Sequence, residues 1–174
     1  MNLIVNSGFT TLELMITLSI LAILASVAVP SYQSMMTQSR LTTQTNELVT
    51  TLHFTRSEAI KRGSRVTICK SSNGASCTTG SNWQDGWIVF TDGGVSGTVD
   101  GTDQVLRVFP ILKGSTLSGG GNFGNWVSYM PNGKSQTVSA LSTGTFTLCT
   151  SGYRRDVTLN NTGRPQIDKS VTTC

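Results

Sequence analysis

"GFTTLELM", residues Gly8 to Met15, opens the long apolar stretch of this chain and places a carboxylate, Glu13, close to its start. From Phe9 to Val29 the interruptions are Thr10, Thr11, Glu13, Thr17, Ser19 and Ser26. A helix over that stretch is roughly 31 Å long, about the thickness of a hydrocarbon core. A cleaved secretory signal has a shorter apolar region and a basic start, whereas MNLIVNS, residues 1–7, carries no Lys or Arg; Ser26-Val27-Ala28 passes for its cut site. A plain anchor accounts for the length but not for Glu13, because a carboxylate in the membrane costs about 2.5–3.5 kcal/mol and calls for a partner. Cutting after Gly8 supplies one. Phe9 then gains a free amine one helical turn before Glu13, where the helix dipole also favours negative charge. In an assembly, the same amine can neutralise the Glu13 of a neighbouring subunit.

Past Pro30 the helical pattern continues, with Leu41, Leu48, Val49, Leu52, Ala59 and Ile60 on one side of a 3.6-residue wheel and Thr45 between them. Arg56 falls in the same sector, where its stem packs and its head reaches the edge, or pairs with a carboxylate of the domain. Lys61 and Arg62 suit a helix C-terminus, and Gly63 is the expected cap. Beyond Gly63 the texture changes to short runs rich in β-branched and aromatic residues: Arg65–Lys70, Trp87–Thr91, Val105–Phe109, Trp126–Met130, Thr145–Cys149 and Val157–Leu159. Arg164 to Ile167 adds an edge strand, since Pro165 is tolerated there. The expected fold is therefore α+β, one long helix packed on an antiparallel sheet.

With 174 residues, the chain is long enough for an anchor and one domain. Charged residues make up only 13%, and the formal charge of +4 is compatible with acidic partners without implying nucleic acid. The cysteines are Cys69, Cys77, Cys149 and Cys174, with no C-x-x-C pair and one histidine, His53. That usage points to two disulfides in an oxidising compartment rather than a zinc site. Three connectivities are open. The favoured one joins Cys69 to Cys77 across a short Ser/Gly/Asn loop and Cys149 to Cys174, tethering the C-terminus.

The N-terminal pattern resembles the class III signal of type IV pilins and type II secretion pseudopilins. "GFTTLE" carries the Gly before the cut, the Phe that becomes N-methylated, and Glu13 at the fifth position after the cut. Pro30 falls at the twenty-second, where pilins often have a proline. The leader departs from the pattern in lacking Lys and Arg, which leaves a start upstream of Met1 open. "RSEAIKRGSRVTIC" (56–69), "NWQDGWIVFTD" (82–92), "GTDQVLRVF" (101–109) and "TGRPQI" (162–167) narrow the resemblance to the GspH/FimT group of minor pilins and pseudopilins.

This resemblance implies a leader over residues 1–8, a transmembrane and filament helix over 9–29, an amphipathic continuation over 30–63 and a periplasmic β domain over 64–174. It implies cleavage between Gly8 and Phe9 by prepilin peptidase, methylation of Phe9, and Glu13 as the assembly residue. The chain would sit in the inner membrane with a single span before joining a pilus or pseudopilus. The expected function is that of a minor pilin that helps assemble or initiate a type IV pilus, with DNA binding during natural transformation left open against an ordinary solvated basic face. The alternative is the H-type minor pseudopilin of a type II secretion pseudopilus. Partners would be the peptidase, other pilins or pseudopilins, the inner membrane and double-stranded DNA.

The DNA expectation rests on a G-R-x-R motif near the C-terminus of the family's DNA-uptake branch. Gly163 and Arg164 match its first half, while Gln166 replaces the second Arg and can hydrogen-bond a phosphate without adding charge. Arg154, Arg155 and Lys169, nearby in sequence, could compensate. Lys61, Arg62, Arg65 and Lys70 form a second basic group. "GGGNFG", residues 119–124, matches a dinucleotide fingerprint on paper but leads into Trp126 and a strand, so it is expected to be a flexible loop. Asp92, Asp100 and Asp103 fit no calcium loop and are expected in a solvated turn. His53 lacks a nucleophile signal and is expected to pack at the helix–sheet edge. No enzyme activity, cofactor or metal is expected.

Overall fold

Helix α1 runs from Thr11 to Arg62, and its start is written in the sequence as a T-x-x-E capping box. The Glu13 N–H donates to Thr10 Oγ1 at 3.2 Å, and the Thr10 N–H points back to the Glu13 carboxylate at 3.5 Å. The helix passes through Pro30. It ends at Gly63, whose N–H donates to the Ile60 carbonyl at 3.3 Å. The computed structural model describes residues 8–80, 82–137, 143–160, 162–168 and 173–174. By contacts the chain divides into two compact units, Met1–Gln38 and Ser39–Cys174. In the first, the large apolar side chains from Leu12 to Val29 are exposed, and the helix is long and apolar enough to cross a membrane.

In the second unit, Leu41, Leu48, Leu52 and Ala59 of α1 are fully buried. Thr45, Thr51 and Thr55 are buried among them, each hydroxyl donating to the carbonyl four residues earlier at 2.6–2.8 Å. Those bonds are what make burying a hydroxyl tolerable. The stripe departs from expectation at Ile60, which is half-exposed because it lines an open groove rather than the core.

The antiparallel β domain expected beneath the helix is built from two sheets. β1 (Val66–Lys70), β2 (Trp87–Thr91), β3 (Val105–Phe109), β5 (Trp126–Tyr129) and β6 (Ser135–Gln136) lie in the order β3-β2-β1-β5-β6. β4 (Thr116–Gly120), β7 (Gly144–Thr150), β8 (Tyr153–Leu159) and β9 (Pro165–Asp168) lie in the order β4-β7-β8-β9. Both sheets and α1 contribute to one core, which joins Leu48 and Leu52 to Val66, Trp87 and Tyr129 of the first sheet and Phe146, Leu148 and Val157 of the second. Central strand β1 is buried along its whole length. Its Val66 and Ile68 face that core, and Cys69 joins Ile88 and Phe90 in a second small cluster on the opposite face. Cys69 is bonded to Cys77 and Cys149 to Cys174.

The 119–124 segment is not the loop expected. Gly119 and Gly120 belong to β4, and the turn after them carries Phe123 into the core, fully buried and stacked on Phe146 with ring centroids 5.0 Å apart. The Phe123 carbonyl accepts a hydrogen bond from the Trp83 indole at 2.8 Å. A Cβ on Gly119 would fall on that carbonyl, so the glycine is there for close packing and not for mobility.

Candidate functional site

Gly8, Phe9 and Glu13 lie together at the start of α1, whereas Pro30 lies roughly 25 Å further along it. Phe9 is exposed beside the helix start, Thr10 and Glu13 cap it, and Pro30 is inside α1. Pro30 has no N–H, so the Ser26 carbonyl lacks its usual intrahelical donor. The capping role of Glu13 was available from the spacing Thr10-x-x-Glu13 and is independent of any amine on Phe9. Glu13 stays exposed, so its charge remains open to a partner.

The C-terminal basic group does not come together. Arg154 and Arg155 are adjacent on β8 and therefore project to opposite faces. Arg154 makes a two-pronged pair with Asp156, Nε to Oδ1 at 2.9 Å and Nη2 to Oδ2 at 2.7 Å, and this pairing raises the Arg154 pKa. Asp168 stands opposite Asp156 in the β8–β9 register, which places a second acidic residue next to the one that holds Arg154. Arg155 instead lines a cavity with Thr42, Asn46 and Ile167. Arg164 precedes β9 beside Leu159, the far end of β8 from Arg154, roughly 17 Å away along the strand. Its guanidinium is exposed, and its backbone N–H is held by Asn160 at 3.1 Å. Gln166 is also exposed, opposite Thr158. Lys169 lies outside the described residues.

Gly163 has a packing role of its own. It sits at φ +73°, buried, and a Cβ there would come within 2.5 Å of the Gly133 carbonyl and 2.9 Å of the Tyr129 ring. Tyr129 is fully buried, which pushes its hydroxyl pKa upward.

In the second basic group Lys61 is exposed, while Arg62, Arg65 and Lys70 are engaged with partners. Arg62 pairs with Glu58 at 2.7 Å, lowering the Glu58 pKa. Arg65 donates to buried Asp92 at 2.7 Å and to the Gly94 carbonyl at 2.7 Å. Lys70 is buried, which lowers its pKa, and its ammonium lies 3.4 Å from the Thr79 carbonyl. Asp92 is thus a structural anchor and not a solvated turn residue. It also accepts from Thr67 Oγ1 at 2.6 Å and the Gly97 N–H at 2.9 Å. Asp100 and Asp103 accept from Val95, Gly93 and Asp100 backbone N–H groups at 2.8–3.2 Å, folding their own loop.

Sequence reasoning missed a groove of about 490 Å³ on the flank of α1, lined among others by His53, Phe54, Arg56, Ile60 and Arg107. His53 is exposed there rather than packed, since its helix position lies beside the buried stripe and not on it. Arg56 bonds the Gly133 carbonyl at 2.9 Å instead of a carboxylate. The Arg107 guanidinium lies 3.8 Å from the centroid of the Phe54 ring. Nothing in the local sequence links residues 54 and 107.

A protein-family model described as type II transport protein GspH matches residues 44–163. Two crystal structures of the type IV minor pilin FimU of Pseudomonas aeruginosa (strain PAO1), in different crystal forms, are similar to this chain, with TM-scores of 0.57 and 0.54. The alignments cover 79% and 76% of this chain and 92% and 93% of theirs at 20% sequence identity, a likeness of fold. No curated protein sequence matches the chain.

Proposed function

The chain belongs to the GspH family of pilin-like proteins, and on that premise we propose that it is a minor pilin, a structural subunit that enters a type IV pilus and helps to assemble or initiate it. The observation that carries this reading is the uncovered apolar stretch of α1, headed by an exposed Glu13 and continuous with the helix that forms the domain core. Prepilin peptidase would cut between Gly8 and Phe9 and methylate Phe9. The released amine would meet the Glu13 charge of a neighbouring subunit, and the β domain would face the periplasm before assembly. Glu13→Gln separates the two roles of this residue, because glutamine preserves the capping box but removes the charge. The variant is expected to be cut and folded yet missing from sheared filaments; normal incorporation of Glu13→Gln would sink the charge-pairing role.

The family description favours a second reading, the H-type pseudopilin of a type II secretion pseudopilus. Deleting the chain then abolishes protein secretion and leaves pilus number unchanged, whereas the pilin reading gives the reverse. DNA binding would be carried by the exposed Arg164, on a tight turn that the buried Gly163 shapes, with one cation in place of two. It is expected to be micromolar or weaker, and Arg164→Ala should flatten the salt dependence by about one unit of log–log slope. Full-length protein titrated with labelled duplex over a salt series tests this, and an unchanged slope would remove Arg164 from the interface.

A further inference from the structure

We propose that the groove between α1 and the free edge of β3 receives an extended segment of another protein chain, which adds as a strand to β3 and sets a carboxylate against Arg107. β3 ends its sheet and pairs only with β2 among the described residues. Sheet edges are ordinarily guarded by charged side chains, and the sole charge in VLRVF is Arg107. That charge is folded over Phe54 at 3.8 Å, so it does not shield the edge. Val108 is 54% exposed and Val105 37%. An unguarded, apolar edge is a template for an added strand.

Register states what the added strand must carry. Arg107 and Phe109 lie opposite Val89 and Trp87, on the core side, while Val108 lies opposite Ile88, on the other face. A residue opposite Arg107 has its Cβ about 5 Å away, within reach of a glutamate or aspartate. Its neighbours turn to the other face and meet Val108, so they should be apolar. The groove supplies the charge preference: Arg56, Arg107 and His53 line it and no carboxylate does. Glu58, on the same helix, feels the Arg107 charge only weakly and is already paired with Arg62 at 2.7 Å. Among the described residues no acceptor is hydrogen-bonded to the Arg107 guanidinium, and contact with the Phe54 ring holds it in place while leaving N–H groups for a carboxylate. A second copy of this chain is a poor occupant. Its β3 has no acid, and edge-to-edge pairing would bring like charges together in chains of formal charge +4. The occupant is therefore an acidic–apolar alternating segment of a different protein.

The test uses the full chain in detergent micelles and a blocked, fluorophore-labelled peptide alternating valine with glutamate, read by anisotropy. Binding should fall about tenfold or more with Arg107→Gln, with a lysine counterpart of the peptide, and with a backbone N-methylated version that cannot pair as a strand. Arg107→Lys, which keeps charge but loses the forked guanidinium donors, should give an intermediate loss, and thermal unfolding of each variant checks that the fold is intact. No binding, equal binding of the glutamate and lysine peptides, or no loss in Arg107→Gln would overturn the proposal. So would displacement of the peptide by duplex DNA through Arg107, which would assign the groove to phosphate. The site is independent of filament entry: a Glu13→Gln chain absent from filaments should bind the peptide unchanged.

Discussion

Between Leu12 and Val29, eleven large apolar side chains of α1 are 51–70% exposed, whereas Leu41, Leu48, Leu52 and Ala59 further along the same helix are fully buried. At about 2 kcal/mol for fully burying each such side chain, and with roughly 60% of each exposed, the first stretch leaves on the order of 10–15 kcal/mol of burial unrealised by this chain. That stretch fits the single-pass membrane anchor of a pilin. The second stretch covers itself against two sheets and even accommodates three threonine hydroxyls by bonding them to its own carbonyls. One helix thus carries two surfaces: its first part leaves its apolar side chains uncovered and its second buries them in its own domain.

The sharpest way to break this comparison is to make the same substitution in both stretches. Leu48→Ala should lower domain stability by about 2–5 kcal/mol, because it opens a cavity between helix and sheets. Leu18→Ala should change it by less than about 0.5 kcal/mol while weakening retention in the membrane or filament. Denaturant unfolding of both in detergent decides, and equal losses would mean that the first stretch packs on its own domain after all. The disulfides sharpen the same contrast inside the self-burying unit. Loop closure gives about 3.5 kcal/mol for Cys149–Cys174, separated by 25 residues, against about 2.5 for Cys69–Cys77, separated by 8. Paired Cys→Ser variants should follow that order in their unfolding midpoints.

Much of this division was legible in sequence. The apolar run after Gly8 and the 3.6-residue stripe after Leu41 gave both stretches, and β-branched and aromatic runs gave β2 and β3 with their bounds. β4 was illegible because TLSGG has one apolar residue and two glycines; its strand conformation is imposed by pairing with β7 and by the approach of the Phe123 carbonyl. Two sheets could not be told from one, since periodicity assigns a face without assigning a neighbour. The basic groups misled for a related reason: adjacent arginines on a strand are far apart in direction, and Arg65 meets Asp92 across 27 residues. The capping box was legible at Thr10 and Glu13 but obscured by the charge pairing that the same carboxylate invites.

Gly163 tests how tightly the self-burying unit is packed. Gly163→Ala combines a left-handed backbone with contact against Gly133 and Tyr129, and should cost about 1–3 kcal/mol. If the G of the half-motif acts through packing, duplex-DNA affinity measured on the folded fraction should not change. A DNA defect at full stability would instead place Gly163 in an interface.

The smallest effect belongs to the rim of the same unit, at Glu58 and Arg62. The Arg62 hydrogen bond, with smaller help from the Lys61 and Arg107 charges, lowers the Glu58 pKa below its ordinary value. A carboxylate with a lowered folded pKa contributes stability that is present above the unfolded value, near 4.3, and lost as pH falls through the folded one. Both side chains reach solvent, so the pair should be worth only about 0.3–0.5 kcal/mol, as for other exposed pairs four residues apart on a helix. Arg62→Ala should therefore cost a few tenths of a kcal/mol at pH 7, and that part of the cost should vanish by about pH 3. Unfolding curves at the two pH values measure the difference. A loss of several kcal/mol at pH 7 would show that the boundary between buried stripe and free surface lies further round the helix than Leu52 and Ala59 mark it.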